Sequence, residues 1–232
     1  MKQIKLNLPG EKDYFMQEAL KTLRTNLQFC GQDIKVIAIT SCNENEGKST
    51  VALHIAKSFA ELDKRVLLID TDMRKSVMAG RNTSVKSPSG LTEVLTGLRP
   101  ISECVYPVVN SKMHILFAGQ YPPNPVELLS GKYFATLINE CRKVYDYIIV
   151  DTPPLGQVID AAVVAEKCDG AVMVIGSNKV HYRMAQDVVE QLNKSGCRLL
   201  GVVRNNRKQP NRKSYYRKYY RHDSVRTKKN DK

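Results

Sequence analysis

Val36-Ile37-Ala38-Ile39-Thr40-Ser41-Cys42-Asn43-Glu44-Asn45-Glu46-Gly47-Lys48-Ser49-Thr50 is the stretch that decides the fold. An apolar run leads into a short polar turn, and a helical pattern runs on from Val51 to Leu62. Strand, turn and helix in that order are what a phosphate-binding loop needs. Backbone N–H groups at a helix start have no intrahelical partner and carry partial positive charge. In such a loop Lys48 reaches the β- and γ-phosphates of a nucleotide, and the Ser49 hydroxyl ligates Mg²⁺. The full pattern asks for glycine five residues before Gly47, where Cys42 stands. Asn45 enters left-handed backbone more readily than most residues, though less freely than glycine.

Downstream, Val66-Leu67-Leu68-Ile69 is continuously apolar, as a parallel strand covered on both faces should be. It ends in Asp70-Thr71-Asp72-Met73-Arg74-Lys75. Two carboxylates just past a strand's C-terminal end lie where open α/β sheets bind ligands. Tyr147-Ile148-Ile149-Val150 repeats the pattern and runs into Asp151-Thr152-Pro153-Pro154, a second place for a metal-organising acid. Further strands are expected at Ile115–Ala118, Ala171–Ile175 and Leu199–Val203, and helices at Val126–Val144, Ala161–Lys167 and Val180–Lys194. Alternating strands and helices imply a mostly parallel sheet with right-handed crossovers, in a three-layer α/β/α arrangement. Residues 76–111 hold Ser87-Pro88-Ser89-Gly90 and one short helical stretch, Leu91–Leu98, and read as a surface excursion.

Upstream, residues 1–13 lack apolar periodicity and read as an extended arm. From Tyr14 to Phe29, Leu20, Leu23 and Leu27 recur at helical spacing, and Gly31 follows as a stop. Glu18, Lys21 and Arg24 share another face. They form either a solvated face with one ion pair or a subunit contact.

Composition narrows the class. The 232 residues carry a net charge of +13, but 11 Lys and Arg against two acids fall between Arg207 and Lys232. That tail carries +9 and leaves +4 for the body, so the basic character belongs to the tail. Its segment Ser214-Tyr215-Tyr216-Arg217-Lys218-Tyr219-Tyr220-Arg221 holds four of the 11 tyrosines. With almost no other apolar residues it has nothing to build a core from and is expected to be disordered. The chain thus divides into a P-loop domain, 1–206, and a tail, 207–232. No stretch approaches the roughly 18 apolar residues of a membrane span, and no apolar signal core follows Met1-Lys2-Gln3-Ile4-Lys5. The six cysteines lack C-x-x-C spacing and read as reduced thiols.

Taken together, these motifs resemble the bacterial tyrosine kinases of capsule and exopolysaccharide synthesis, in the cytoplasmic form that acts with a separate membrane adaptor. Glu46-Gly47-Lys48-Ser49-Thr50 matches that family's Walker A, and Leu67-Leu68-Ile69-Asp70-Thr71-Asp72-Met73-Arg74 its Walker A′. Ile148-Ile149-Val150-Asp151-Thr152-Pro153-Pro154 matches Walker B. Gly119, Pro122-Pro123-Asn124-Pro125 and Glu127-Leu128-Leu129-Ser130 resemble a segment typical of the group, and Gly201-Val202-Val203 with Asn205 the strand that ends near adenine.

The resemblance implies ATP and Mg²⁺ as cofactors. It places Glu46, Gly47, Lys48, Ser49, Thr50 and Asn205 at the nucleotide, and Ser49, Asp72 and Asp151 at the metal. Catalysis falls to Lys48, Asp70 and Asp72, the two acids sharing the roles of base and metal partner. Tyr215, Tyr216, Tyr219 and Tyr220 become autophosphorylation sites, modified between subunits. Glu18, Lys21 and Arg24 occupy the positions of a ring-forming Glu-x-x-Arg-x-x-Arg, with lysine at the first basic position. Implied partners are a polysaccharide co-polymerase type adaptor at the inner face of the membrane, a cognate tyrosine phosphatase and further copies of the chain, with no nucleic acid.

Two other readings compete. A ParA/MinD-like positioning ATPase shares the sheet, but its usual extra lysine early in the P-loop has no counterpart between Ser41 and Glu46. A nucleic-acid or membrane-binding module with a vestigial P-loop would draw on the alternating aromatic and basic residues of the tail.

Overall fold

The computed structural model describes residues 3–10, 13–83, 85, 87–177 and 180–205. Helix α1 (Tyr14–Phe29) precedes β1 (Val36–Ser41), α2 (Lys48–Ala60) and β2 (Val66–Asp70). Three short helices follow, α3 (Met78–Asn82), α4 (Leu91–Leu95) and α5 (Ile101–Cys104), and then β3 (Val105–Pro107) and β4 (Met113–Leu116). Helices α6 (Pro125–Ser130) and α7 (Lys132–Val144) lead to β5 (Tyr147–Asp151), α8 (Asp160–Ala165), β6 (Gly170–Gly176), α9 (Tyr182–Lys194) and β7 (Leu199–Asn205).

The seven strands form one sheet in the order β3-β4-β2-β5-β1-β6-β7, in which every neighbouring pair is parallel except β3 with β4. Alternation along β1 assigns its side chains to two layers. Ile37 and Ile39 pack with Val51, Leu53, Ile55 and Phe59 of α2. Val36 packs on the opposite side with Phe134, Leu137 and Ile138 of α7, and Ala38 with α8 and α9. Phe59 stacks on Tyr147 at 4.0 Å between ring centroids, joining α2 to the start of β5. Truncating a ring so enclosed costs about 3–5 kcal/mol, which makes α2 a rigid mount for the loop at its N-terminus.

The expected parallel α/β/α fold is present, with three differences in detail. The helix read as continuous from Val126 to Val144 breaks at Gly131, whose φ of −68° and ψ of 157° are extended. Residues 76–111 are no mere surface excursion. Met78, Leu91, Leu95 and Cys104 are buried, and β3 adds an antiparallel edge strand. Their contribution is tertiary, so isolated apolar residues between polar ones gave no periodic signal. The N-terminal arm is extended but packed: Ile4 and Leu8 are buried, and Ile4 exchanges backbone hydrogen bonds with Pro107 and Val109 at 2.9 and 3.0 Å. Helix α1 starts where Asp13 accepts from the Phe15 N–H at 2.9 Å, an N-cap worth about 1 kcal/mol. None of the described helices is long and apolar enough to cross a membrane.

Candidate active site

The sheet order brings the C-terminal ends of β2, β5 and β1 side by side, which sets the site. Asp70 pairs in register with Asp151, and Asp151 with Ile39 just before the P-loop. Three motifs far apart in sequence thereby share one edge. Thr71 locks two of them together: its backbone N–H and its hydroxyl both donate to the Asp151 carbonyl at 2.8 Å.

The P-loop itself is held from below by Glu46, which is fully buried. One carboxylate oxygen accepts from the N–H groups of Cys42 and Asn43, each at 2.9 Å, and the other from Gly176 N–H at 3.1 Å. Glu46 therefore shapes the loop, with both oxygens turned into its frame. Cys42, standing where the full pattern has glycine, is also buried, and its Sγ lies 3.9 Å from Met173 Sδ. Asn45 takes the left-handed backbone that its residue type permits, at φ +60°. Gly47 follows at φ +91°, and α2 begins with no side chain capping its N–H groups. Those donors are open to an anion.

Lys48 reaches across the strand ends. Its Nζ lies 3.2 Å from Asp72 Oδ2, 3.9 Å from Asp151 Oδ1 and 3.3 Å from Ser49 Oγ. Burial would lower the Lys48 pKa, but Asp151, Asp72 and Asp70 together outweigh it and hold the pKa above the ordinary lysine value. The carboxylates feel the reverse. Burial, then repulsion from Asp151, pushes Asp70 up to about 7 despite a hydrogen bond from Ser76. Burial likewise raises Asp151, against the opposing pull of Lys48 and Ser49. Asp70 is engaged at both oxygens, by Asp72 N–H at 3.0 Å and by the Ser76 hydroxyl. Asp72 lines the cleft, together with Gly47, Lys48, Ser49, Thr50, Arg74 and Pro154.

These residues fit a divalent cation. Asp151 Oδ1 is a buried carboxylate oxygen with no hydrogen-bond partner, and three acids confront a single lysine. Leaving such an oxygen unsatisfied is costly, and a metal beside Ser49, Asp72 and Asp151 would satisfy it.

The remaining sequence-derived residues fall in three places. Asn205 ends β7 above the loop, where its Nδ2 donates to the Glu46 carbonyl at 2.9 Å. Glu18, Lys21 and Arg24 lie on α1, away from the acids. Glu18 and Lys21 pair at 2.8 Å on the surface, while Arg24 donates to the Ser58 carbonyl of α2 at 2.6 Å. Tyr215, Tyr216, Tyr219 and Tyr220 lie outside the described residues. Sequence reasoning missed Asp160, which is buried and binds Arg74. An acid at the start of a helical pattern looks like an ordinary helix-start residue, so no local signal marks it.

The AAA domain family matches residues 34–195. The tyrosine-protein kinase CpsD of Streptococcus pneumoniae is 42% identical over 189 residues, covering 82% of this chain and 83% of that protein. The tyrosine-protein kinase YwqD of Bacillus subtilis is 38% identical over 195 residues, covering 82% and 81%. Among solved structures, the chimerical protein CapA2B2 superposes with a TM-score of 0.80 at 27% identity, covering 86% of this chain and 88% of that one. The kinase domain of the Escherichia coli tyrosine kinase ETK gives 0.77 at 28%, covering 84% and 78%. The cell division ATPase MinD of Pyrococcus furiosus, at 0.63 and 22% over 77% of this chain and 74% of that one, shares the fold. With Walker A, A′ and B motifs assembled at one sheet edge and this degree of identity along four-fifths of its length, the chain belongs to the bacterial tyrosine-protein kinases of capsule biosynthesis.

Proposed function

We propose that the chain transfers the γ-phosphoryl group of ATP to tyrosines of its own tail, Tyr215, Tyr216, Tyr219 and Tyr220, in trans between subunits. The observation that carries this reading is Lys48 Nζ set 3.2 Å from Asp72 and 3.9 Å from Asp151 at the mouth of an uncapped helix. Phosphoryl transfer proceeds mainly by positioning and charge neutralisation. The P-loop N–H groups and Lys48 hold the phosphates, with Thr50 beside them, and Asn205 closes the loop from above.

Ser49, Asp72 and Asp151 would hold Mg²⁺, which when bound neutralises charge on the β- and γ-phosphates. The acceptor hydroxyl, with an ordinary pKa of about 10, gives its proton late in the reaction to the linked pair Asp70–Asp72. Asp72 is the member on the cleft wall, and Asp70 fixes its backbone.

The tail supplies substrate because it follows directly on β7, which ends beside the P-loop at Asn205. A homo-oligomer assembled through Glu18, Lys21 and Arg24 would bring one subunit's tail to its neighbour's cleft. The likeness to the chimerical CapA2B2 fits a kinase that works with a second polypeptide, here a membrane adaptor that recruits the chain to the inner face of the membrane. A cognate tyrosine phosphatase would reset the tail.

Incubation of purified protein with Mg-ATP, with and without an adaptor tail, followed by intact-mass measurement, tests the proposal. Stepwise gains of one phosphate are expected, absent in Lys48→Met and in the variant with all four tail tyrosines changed to Phe. ATP turnover without added mass would overturn it in favour of a positioning ATPase.

A further inference from the structure

Asp160 stands outside the machinery just described, yet it is 1% exposed and has a demanding partner. The Arg74 guanidinium grips it with a fork, Nε to Oδ2 at 2.8 Å and Nη2 to Oδ1 at 3.2 Å. Such a bidentate pair fixes direction as well as charge. Helix capping does not account for Asp160, since α8 has no side-chain cap and runs only six residues.

The place of Arg74 gives the pair its meaning. Arg74 lies two residues beyond Asp72 and lines the same cleft as Lys48, Ser49 and Asp72. Its guanidinium is held by Asp160 beside that cleft, two residues along the chain from Asp72. Asp72 already faces one cation, Lys48. On the cleft side Asp72 and Asp151 together exceed Lys48 by one negative charge. A second cation settling on Asp72 would cancel that excess and leave little to attract a divalent ion.

We propose that Asp160 is a positioning residue that holds Arg74 off Asp72, keeping the Asp72 carboxylate available to a divalent cation. The proposal rests on the reading of Asp72 as a metal partner given above. It assigns the charge of Asp160 a role distinct from packing: the residue occupies a competitor. Freed of Asp160, Arg74 is long enough and close enough to turn on Asp72, two residues away.

The test is a Mg²⁺ titration of the binding of a fluorescent ATP analogue to the full chain, with thermal melting of each variant alongside. Asp160→Asn should raise the half-saturating Mg²⁺ concentration about tenfold, the size usual for groups that support metal ligands. Arg74→Gln alone should leave it within about twofold of wild type, and Arg74→Gln/Asp160→Asn should return to that range, because the competitor is gone. Arg74→Lys keeps the charge without the fork and should raise the requirement about threefold, which covers the case in which Asp160→Asn fails to fold. A double variant as impaired as Asp160→Asn, or an Asp160→Asn that melts lower with unchanged Mg²⁺ dependence, would overturn the proposal and leave a structural pair. Wild-type nucleotide binding indifferent to Mg²⁺ would instead overturn the metal reading itself.

Discussion

Asn205 and Gly47, 158 positions apart, fit together so closely that a Cβ added at Gly47 would lie 2.1 Å from Asn205 Nδ2. The last residue of the sheet's edge strand thus reads the absence of a side chain in the P-loop, while its amide holds the Glu46 carbonyl at 2.9 Å. Gly47→Ala meets this obstacle and a φ of +91° as well. It should weaken ATP binding by more than about tenfold, the equivalent of about 1.4 kcal/mol, as measured by calorimetric titration. Asn205→Ala loses one hydrogen bond and should cost about 1 kcal/mol of stability. Binding by Gly47→Ala at wild-type affinity would show that the contact is easily relieved.

Lys48 neutralises a cluster in which Asp70, Asp72 and Asp151 are all buried. Lys48→Met should lower phosphoryl transfer by about 100-fold or more, through loss of a cation at the transferring phosphates. It should also destabilise the nucleotide-free protein by about 3 kcal/mol, because buried carboxylates lose their counter-ion. Denaturant unfolding separates the two effects. A variant that is inactive yet fully as stable as wild type would show that the acids do not depend on Lys48.

The two side-chain oxygens of Glu46 accept three backbone N–H groups, from Cys42, Asn43 and Gly176. Glu46→Gln replaces one of these oxygens with a donor that opposes an N–H. Nucleotide affinity is expected to drop about tenfold and the melting temperature to fall with it, at about 1–3 kcal/mol for an unsatisfied buried group. Unchanged affinity in this variant would mean that the loop keeps its shape without the carboxylate.

Asp169 offers a pH-dependent counterpart far from the nucleotide. Burial would raise its pKa, but hydrogen bonds from Arg142 and from the Val36 and Lys35 N–H groups outweigh it and hold the carboxyl below the ordinary range. The distances are 2.7 and 2.9 Å to Arg142 and 2.7 and 2.8 Å to the two backbone groups. Because the folded pKa lies below the unfolded one, the folded state binds fewer protons in that interval. The stabilisation is complete above about pH 4 and is lost as pH falls through the depressed folded value. Asp169→Asn should therefore cost about 2 kcal/mol at pH 7, and the gap to wild type should narrow on acidification below about pH 4. Urea unfolding across that range measures it, and a gap independent of pH would rule out the charge as the cause.

The sequence by itself determined six of the seven strands, all but β3, and the motifs at their ends. Continuous apolar runs such as Val66–Ile69 are legible because a strand buried on both faces admits little else, and Gly-Lys-Ser-Thr is legible because phosphate contact constrains a local loop. Tertiary structure decided which residues meet. Register set Asp70 beside Asp151, and folding carried β7 round to place Asn205 over Gly47, contacts for which neighbouring residues carry no signal. It also gave the Glu46 carboxylate its backbone partners at Cys42, Asn43 and Gly176, gave Met78 and Leu91 a core to enter, and brought Asp160 to Arg74. Each of these depends on partners remote along the chain, and periodicity reports a residue's own face without naming what will cover it.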